Sequence, residues 1–222
     1  GSAPELGIDG CVATVTLRRP ELANRLSVTD IEALLAHIAH LRGRSELRLV
    51  RLCAEGSHFC AGFQIDAVGE VDAPALFERL TDAWETLPMP TLACIQGDAW
   101  GGAVDLALAC DFILASEKAK FGLPETTLAV LPGFGGSQRL GRLTGGNTAR
   151  YWLLSGDMFG AEEAKQAGVV QQIHAPEALM PSALALAQKL ATRGPLALAA
   201  AKRVQYAGEV LPLTEAVSLE ST

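Results

Sequence analysis

Along the first two-thirds of the chain, short aliphatic runs alternate with helix-period segments and no linker separates them, a rhythm that restricts the fold to one α/β core. The segment Gly10-Cys11-Val12-Ala13-Thr14-Val15-Thr16-Leu17 alternates as a strand does. Ser27-Val28-Thr29-Asp30 then offers a helix cap ahead of Ile31, Leu34, Leu35, Ile38 and Leu41 at helical spacing. Residues 47–53 read as a strand that ends in the loop Ala54-Glu55-Gly56-Ser57-His58, and a polar, proline-containing stretch over 66–74 leads to a helix over 75–86. A strand over 91–96 follows, the Gly101-Gly102 pair opens a helix over 103–110, and further strands fall at 111–115 and 118–122. The chain then turns mostly helical, with helices over 161–167, 176–193 and 195–208 and a strand over 169–173 between the first two. The expectation is a single domain over 1–222, with its core over about 5–160 and a helical C-terminal region over about 161–222 packed on that core or on a neighbouring subunit.

At 222 residues the chain can bury roughly 70% of its unfolded surface without a staple. Apolar residues make up 49% and aromatics only 5%, so the core is expected to be built from Ala, Leu and Val. A net charge of −7, with 18 basic residues scattered and no basic run, argues against a nucleic-acid or anionic-membrane partner. No apolar stretch reaches the roughly 18 residues of a membrane span, and no charged-then-apolar leader opens the chain. Cys11, Cys53, Cys60, Cys94 and Cys110 are an odd set without CxxC spacing, set mostly in apolar runs, which fits free thiols in a reducing cytoplasm. Gly1-Ser2 reads as a cloning scar. With no initiator Met and an end at Leu219-Glu220-Ser221-Thr222 in mid-pattern, the chain reads as an excised domain or a truncated one.

Two glycine-containing turns stand out. His58-Phe59-Cys60-Ala61-Gly62 follows a buried-type strand, and a small residue before Gly lets the Ala61 N–H point into a site rather than into a ladder. Gly97-Asp98-Ala99-Trp100-Gly101-Gly102 lies between a strand and a helix, whose N-terminus offers free N–H groups and a partial positive charge to an anionic oxygen.

Read together, and continued through Ala103-Val104-Asp105-Leu106-Ala107-Leu108-Ala109-Cys110-Asp111, the two turns resemble the enoyl-CoA hydratase/isomerase (crotonase) family. The resemblance extends through Lys118-Ala119-Lys120-Phe121-Gly122-Leu123-Pro124-Glu125 and Leu131-Pro132-Gly133-Phe134-Gly135-Gly136-Ser137-Gln138-Arg139-Leu140. It also takes in Arg19-Pro20-Glu21-Leu22-Ala23-Asn24 near the start and Ala161-Glu162-Glu163-Ala164 with Gly168-Val169-Val170 later, so nearly the whole chain is covered. It implies an α/β fold, a crotonase-like spiral of strand–strand–helix repeats, and a homotrimer or dimer of trimers. It further implies an oxyanion hole at the backbone N–H groups of Ala61 and Gly102, and an acid/base pair at Asp105 and Glu125. The substrate is then an acyl thioester on CoA or on the phosphopantetheine of a carrier protein, with no other cofactor and no metal. Asn24 and Arg25 fall in the region that lies near the CoA adenine in the family.

The chemistry is physically coherent, because adding water beside a thioester carbonyl places negative charge on its oxygen, where preoriented donors stabilise it. Two carboxyls flanking one water can divide the work of base and acid, since like charges at close range drive their pKa values apart. Aspartate at 105, where the hydratases carry glutamate, is a departure. So is Phe63-Gln64 after the first turn, and the stretch over 66–74 is shorter than usual; both changes lie where an acyl pocket would be. Aspartate at the first position resembles the dienoyl-CoA isomerases, which carry a further acid where this chain has Gly133. The leading expectation is an enoyl-thioester hydratase/dehydratase, a lyase. Isomerisation or decarboxylation on the same oxyanion hole, and a non-catalytic scaffold or binding protein, remain as alternatives.

Other residues carry weaker signals. Trp100 and Gly101 would line the acyl pocket or cap the core. His37 and His40, three apart on a helix without an acidic or thiol partner, read as surface groups rather than metal ligands, and His58 reads as a loop histidine. Cys60 lacks an activating neighbour and is a poor nucleophile.

Overall fold

The computed structural model describes residues 1–64, 72–133 and 136–222. In chain order the strands are β1 (Ser2–Asp9), β2 (Val12–Arg18), β3 (Leu49–Ala54), β4 (His58–Cys60), β5 (Thr91–Ile95), β6 (Asp98–Trp100), β7 (Phe112–Ser116), β8 (Lys120–Gly122), β9 (Met158–Gly160) and β10 (Gln172–His174). The α-helices are α1 (Val28–Arg42), α2 (Ala73–Glu85), α3 (Gly102–Leu108), α4 (Gly136–Thr144), α5 (Gly146–Ser155), α6 (Ala161–Gln166), α7 (Leu179–Ala191), α8 (Pro195–Gly208) and α9 (Leu213–Ser218). Two sheets result, one in the order β1-β2-β3-β5-β7-β10 and one in the order β4-β6-β8-β9.

The two sheets explain the rhythm of the sequence. Each pass lays its first strand in the larger sheet and its second in the smaller one before a helix returns: β3, β4 and α2, then β5, β6 and α3. This is the expected spiral of strand–strand–helix units. α1 starts where the cap was read, with the Ser27 hydroxyl accepting from the Asp30 N–H and the Asp30 carboxylate accepting from the Ser27 N–H. β5 is buried on both faces. Its inner face meets the main core, and its outer face is covered by Leu179, Ala183 and Ala187, one turn apart along α7.

Several expectations are corrected. The segment before residue 10, unassigned from sequence, is a strand: β1 pairs antiparallel with β2, from Asp9 opposite Val12 to Ser2 opposite Arg18. Its Pro4 is tolerated because β1 lies at the sheet edge. Both glycine-containing turns contain strands, β4 and β6, three residues each and too short for a periodic signal. The strand expected over 169–173 is confined to β10, because Val169 closes the end of α6 by donating to the Ala164 carbonyl at 2.9 Å. Small aliphatics dominate the core, yet Trp84, Phe59, Phe77 and Phe121 are its largest fully buried side chains. Of the stretch expected over 66–74, residues 66–71 lie outside the described residues, as do Phe134 and Gly135.

The C-terminal helices divide in character. α7 joins the core, whereas α8 and α9 bury no residue completely and leave Leu196, Leu213 and Val217 exposed, with Val210 exposed between them. α8 is fastened by polar bonds, Lys202 and Tyr206 reaching the Asp111 carboxylate at 2.8 and 2.7 Å. No helix among the described residues is long and apolar enough to cross a membrane.

Candidate active site

β4, β6 and β8 lie side by side and parallel, with Cys60 opposite Ala99 and Trp100 opposite Gly122, so their carboxyl ends open along one edge of the small sheet. That edge is where parallel strands of an α/β fold deliver ligand-facing groups. It brings together three segments distant in sequence: 61–64 after β4, Gly101-Gly102 after β6, and Pro124-Glu125 after β8.

After β4, the structure moves the expected donor by two residues. The Ala61 N–H is already given to the Ala23 carbonyl at 2.9 Å, so it is not free for a ligand. Leu26 then forms a parallel bridge with Phe63: its N–H goes to the Gly62 carbonyl at 2.9 Å and its carbonyl receives the Gln64 N–H at 2.8 Å. In such a bridge the central residue's own N–H points to the opposite side, and the Phe63 N–H has no partner among the described residues. Gly62 at φ +91° lets the chain turn here, and a Cβ on it would lie 3.6 Å from the Gly102 nitrogen. The 62–63 backbone therefore abuts the start of α3.

At the second segment, Gly101 sits at φ 57° and ψ −124°, a conformation that side chains disfavour, and gives its N–H to the Gly122 carbonyl at 2.9 Å. Gly102 opens α3, where the first N–H groups have no partner inside the helix. Three residues on, Asp105 lies on the first turn of α3, completely buried. Glu125, in the 3₁₀ turn Pro124–Leu128 after β8, reaches back over Gly101: its Oε1 lies 2.8 Å from where a Cβ on that glycine would be.

Three of the four carboxyl oxygens are left open. Asp105 Oδ1 and Oδ2 and Glu125 Oε2 are buried without a hydrogen-bond partner among the described residues. Burial, and then the charge of Glu125, push the Asp105 carboxyl up to about 8. Arg139 and the Gly136 N–H, the latter short of full hydrogen-bond geometry, pull the other way. Burial also raises Glu125, in part offset by its own backbone N–H. Two carboxyls in reach of each other beside unengaged N–H groups can hold an anionic oxygen and move protons next to it.

The remaining expected residues are placed less centrally. Asn24 is buried and its amide is spent on backbone: its Oδ1 accepts from the Arg19 N–H at 2.8 Å, and its Nδ2 donates to the Glu55 and His58 carbonyls at 2.8 and 3.0 Å. It holds the loop that supplies the Ala23 carbonyl rather than offering a side chain to a ligand. Arg25 beside it is exposed. The Phe63 ring packs edge-on against Phe77, and Gln64 is half-buried. Trp100 is half-buried and edge-on to His58, which belongs to β4 rather than to a loop, and its buried Nε1 has no partner among the described residues. Gly133 lies in an exposed turn whose near neighbour for a Cβ, among the described residues, is the Leu131 carbonyl. The Cys60 thiol donates to the Asn24 carbonyl at 3.1 Å, and burial pushes it up to about 12, which keeps it from acting as a thiolate. His37 is bonded to the Pro4 carbonyl, tying α1 to β1.

Two groups at this edge escaped the sequence reading. The Phe63 N–H carries no side-chain signature. Gly136 was visible only as part of a longer glycine motif, although the Asp105 carboxylate lies directly on it.

Comparison with known proteins follows the same lines. The profile of the enoyl-CoA hydratase/isomerase family matches residues 7–222. The 2,3-dehydroadipyl-CoA hydratase of Escherichia coli is 33% identical over 213 residues, covering 94% of this chain and 84% of that protein. The carnitinyl-CoA dehydratase of Salmonella paratyphi B is 35% identical over 214 residues, covering 93% and 81%. A crystal structure of enoyl-CoA hydratase from Bacillus anthracis superposes with a TM-score of 0.95 at 32% identity, covering 99% of this chain and 88% of that one.

Proposed function

This chain belongs to the enoyl-CoA hydratase/isomerase family, and we propose that it is a lyase that adds water to, or removes it from, an α,β-unsaturated acyl thioester. The observation that carries this reading is the fully buried Asp105 carboxyl and the half-buried Glu125 carboxyl, three of whose four oxygens have no hydrogen-bond partner among the described residues, beside the unengaged N–H groups at the start of α3 and after β4.

In this mechanism the thioester oxygen sits between the N–H groups of Phe63 and Gly102, which replace the Ala61 and Gly102 pair expected from sequence. Each such donor is worth about 3 kcal/mol to a developing oxyanion. Glu125, the less buried carboxyl, ionises first and takes a proton from water as the water oxygen bonds to the acyl β-carbon. Asp105, held neutral at pH 7 by its burial, gives its proton to the α-carbon of the resulting enolate. The sum is one water added across the double bond, and proton exchange between the two carboxyls and solvent restores the starting state.

The acyl group arrives on CoA or on a carrier-protein phosphopantetheine, and no further cofactor or metal takes part. Arg25, exposed beside the Asn24 loop, is placed to meet a phosphate of that carrier, and Phe63, Gln64, Trp100, Gly101 and Gly133 border the acyl chain. The apolar side chains exposed on α8 and α9 support assembly as a homotrimer or dimer of trimers, and the free thiols support a reducing, cytoplasmic setting. The test is a panel of short and medium enoyl thioesters on CoA and on carrier protein, followed by loss of the conjugated enoyl absorbance. Turnover of at least one substrate is expected; none across the panel would overturn the reading.

A further inference from the structure

The Asp105 carboxylate occupies the space of a missing side chain. A Cβ on Gly136, the first described residue of α4, would lie 1.6 Å from Asp105 Oδ1, 2.8 Å from its Cγ and 3.6 Å from its Oδ2. These are the three nearest atoms it would meet, so Asp105 alone excludes a side chain there. Gly136 adopts ordinary helical backbone rather than the left-handed region, and no atom of another described residue comes closer to the Cβ position than those of Asp105. With no left-handed backbone to require it, glycine against a carboxyl is here a matter of space. The carboxylate resting on it is completely buried and has no hydrogen-bond partner among the described residues. Packing against Gly136, whose N–H faces the carboxyl short of full hydrogen-bond geometry, therefore takes the place of the bonds that would ordinarily fix a buried acid.

α4 is itself held in position. Arg139, on the same helix, bridges to Glu85 and Asp82 of α2, its Nε to Glu85 Oε1 at 3.0 Å and its Nη2 to Asp82 Oδ1 at 3.2 Å. Its side chain is 18% exposed, so the pair with Glu85 is substantially desolvated. This anchor ties the helix that begins at Gly136 to α2.

We propose that Gly136 is a positioning residue for the reaction, a seat without a side chain, kept in place by the Arg139 bridge to α2, that sets where the Asp105 carboxyl meets the acyl chain. The short aspartate and the bare glycine form one unit: the carboxylate reaches its place only because residue 136 contributes no atoms there. The proposal rests on the reading of Asp105 as a reacting carboxyl, and it adds which residue aims it.

The test is a double-variant cycle on the whole chain with Gly136→Ala, Asp105→Ala and the two combined, read by thermal midpoint and by steady-state kinetics. Gly136→Ala alone is expected to lower the midpoint by roughly 5 °C through overpacking. It should lower kcat by about 10²-fold while KM stays within about threefold, since a misplacement near 1 Å costs that much in rate. With Asp105→Ala the clash disappears, and adding Gly136→Ala should leave the midpoint unchanged or raise it, because the added methyl then meets open space and removes backbone freedom from the unfolded chain. A kcat within about threefold of wild type for Gly136→Ala would overturn the proposal. So would equal midpoint losses in both backgrounds. If Asp105→Asn proved fully active while the midpoints still coupled, the assignment of Asp105 would fail instead, which keeps the two failures apart.

Discussion

Asp105 and Asp111 stand six residues apart, the first within α3 and the second just beyond its end, and both are withdrawn from water. Asp111 is saturated. Its Oδ2 takes the Lys202 ammonium at 2.8 Å and the Thr91 N–H at 2.8 Å, and its Oδ1 takes the Tyr206 hydroxyl at 2.7 Å. Asp105 has no hydrogen-bond partner among the described residues; it rests on a glycine, with a second carboxyl nearby and the Arg139 charge offsetting it in part. A buried carboxylate with partners fastens elements together, here α8 to β5. One left without partners costs stability, and it persists where a reaction uses the lone pairs that the fold leaves open.

The contrast can be broken from either side. Glu125→Gln keeps shape but removes the base; kcat is expected to fall about 10³-fold, with thioester affinity within a few-fold. Wild-type turnover in that variant, measured in steady state, would take Glu125 out of the mechanism. Asp111→Ala should do the reverse. It strands the Lys202 ammonium, which is only 10% exposed, so a loss of about 3 kcal/mol in stability is expected with kcat within about threefold of wild type below the melting range. Denaturant unfolding checks the first figure. A large loss of kcat at full stability would erase the distinction between the two aspartates.

Asp105→Asn sharpens the contrast through pH. Its carboxyl titrates near 8 in the folded chain and near 4 when unfolded. Between those values the folded state holds a proton that the unfolded state has lost. Stability is therefore fully present below about pH 4 and declines as pH rises toward 8, by up to about 1.4 kcal/mol per unit from this group. The asparagine variant should lose kcat by about 10²-fold and flatten that part of the stability profile. Parallel profiles of wild type and variant between pH 5 and 8 would show that Asp105 is ionised throughout.

Much of this was legible in the residues. The capping box at Ser27 and Asp30 and the aliphatic runs that became β3 and β5 have local causes, and local causes leave periodic traces. The three-residue strands β4 and β6 leave none, because their identity comes from pairing partners across the chain. The same limit explains the misplaced donor. Which N–H is free after β4 depends on the Ala23 and Leu26 carbonyls having claimed Ala61 and Gln64, and those arrive from a loop nearly forty residues upstream. Asp105 and Glu125 were found through motif rather than physics. Their lack of partners, which separates them from Asp111 and from Asp30 with its Arg19 bridge, is visible only once every neighbour is placed.

The claim that these two open carboxyls share one water is tested most directly by isotope. A short enoyl thioester that the enzyme turns over, incubated in ¹⁸O-labelled water, should yield a 3-hydroxyacyl product carrying the label at the β-carbon, with Glu125→Gln reducing its rate in step with kcat. Exchange of carbon-bound hydrogen with deuterated solvent, without any oxygen label, would contradict the account and leave a double-bond isomerase on the same oxyanion hole.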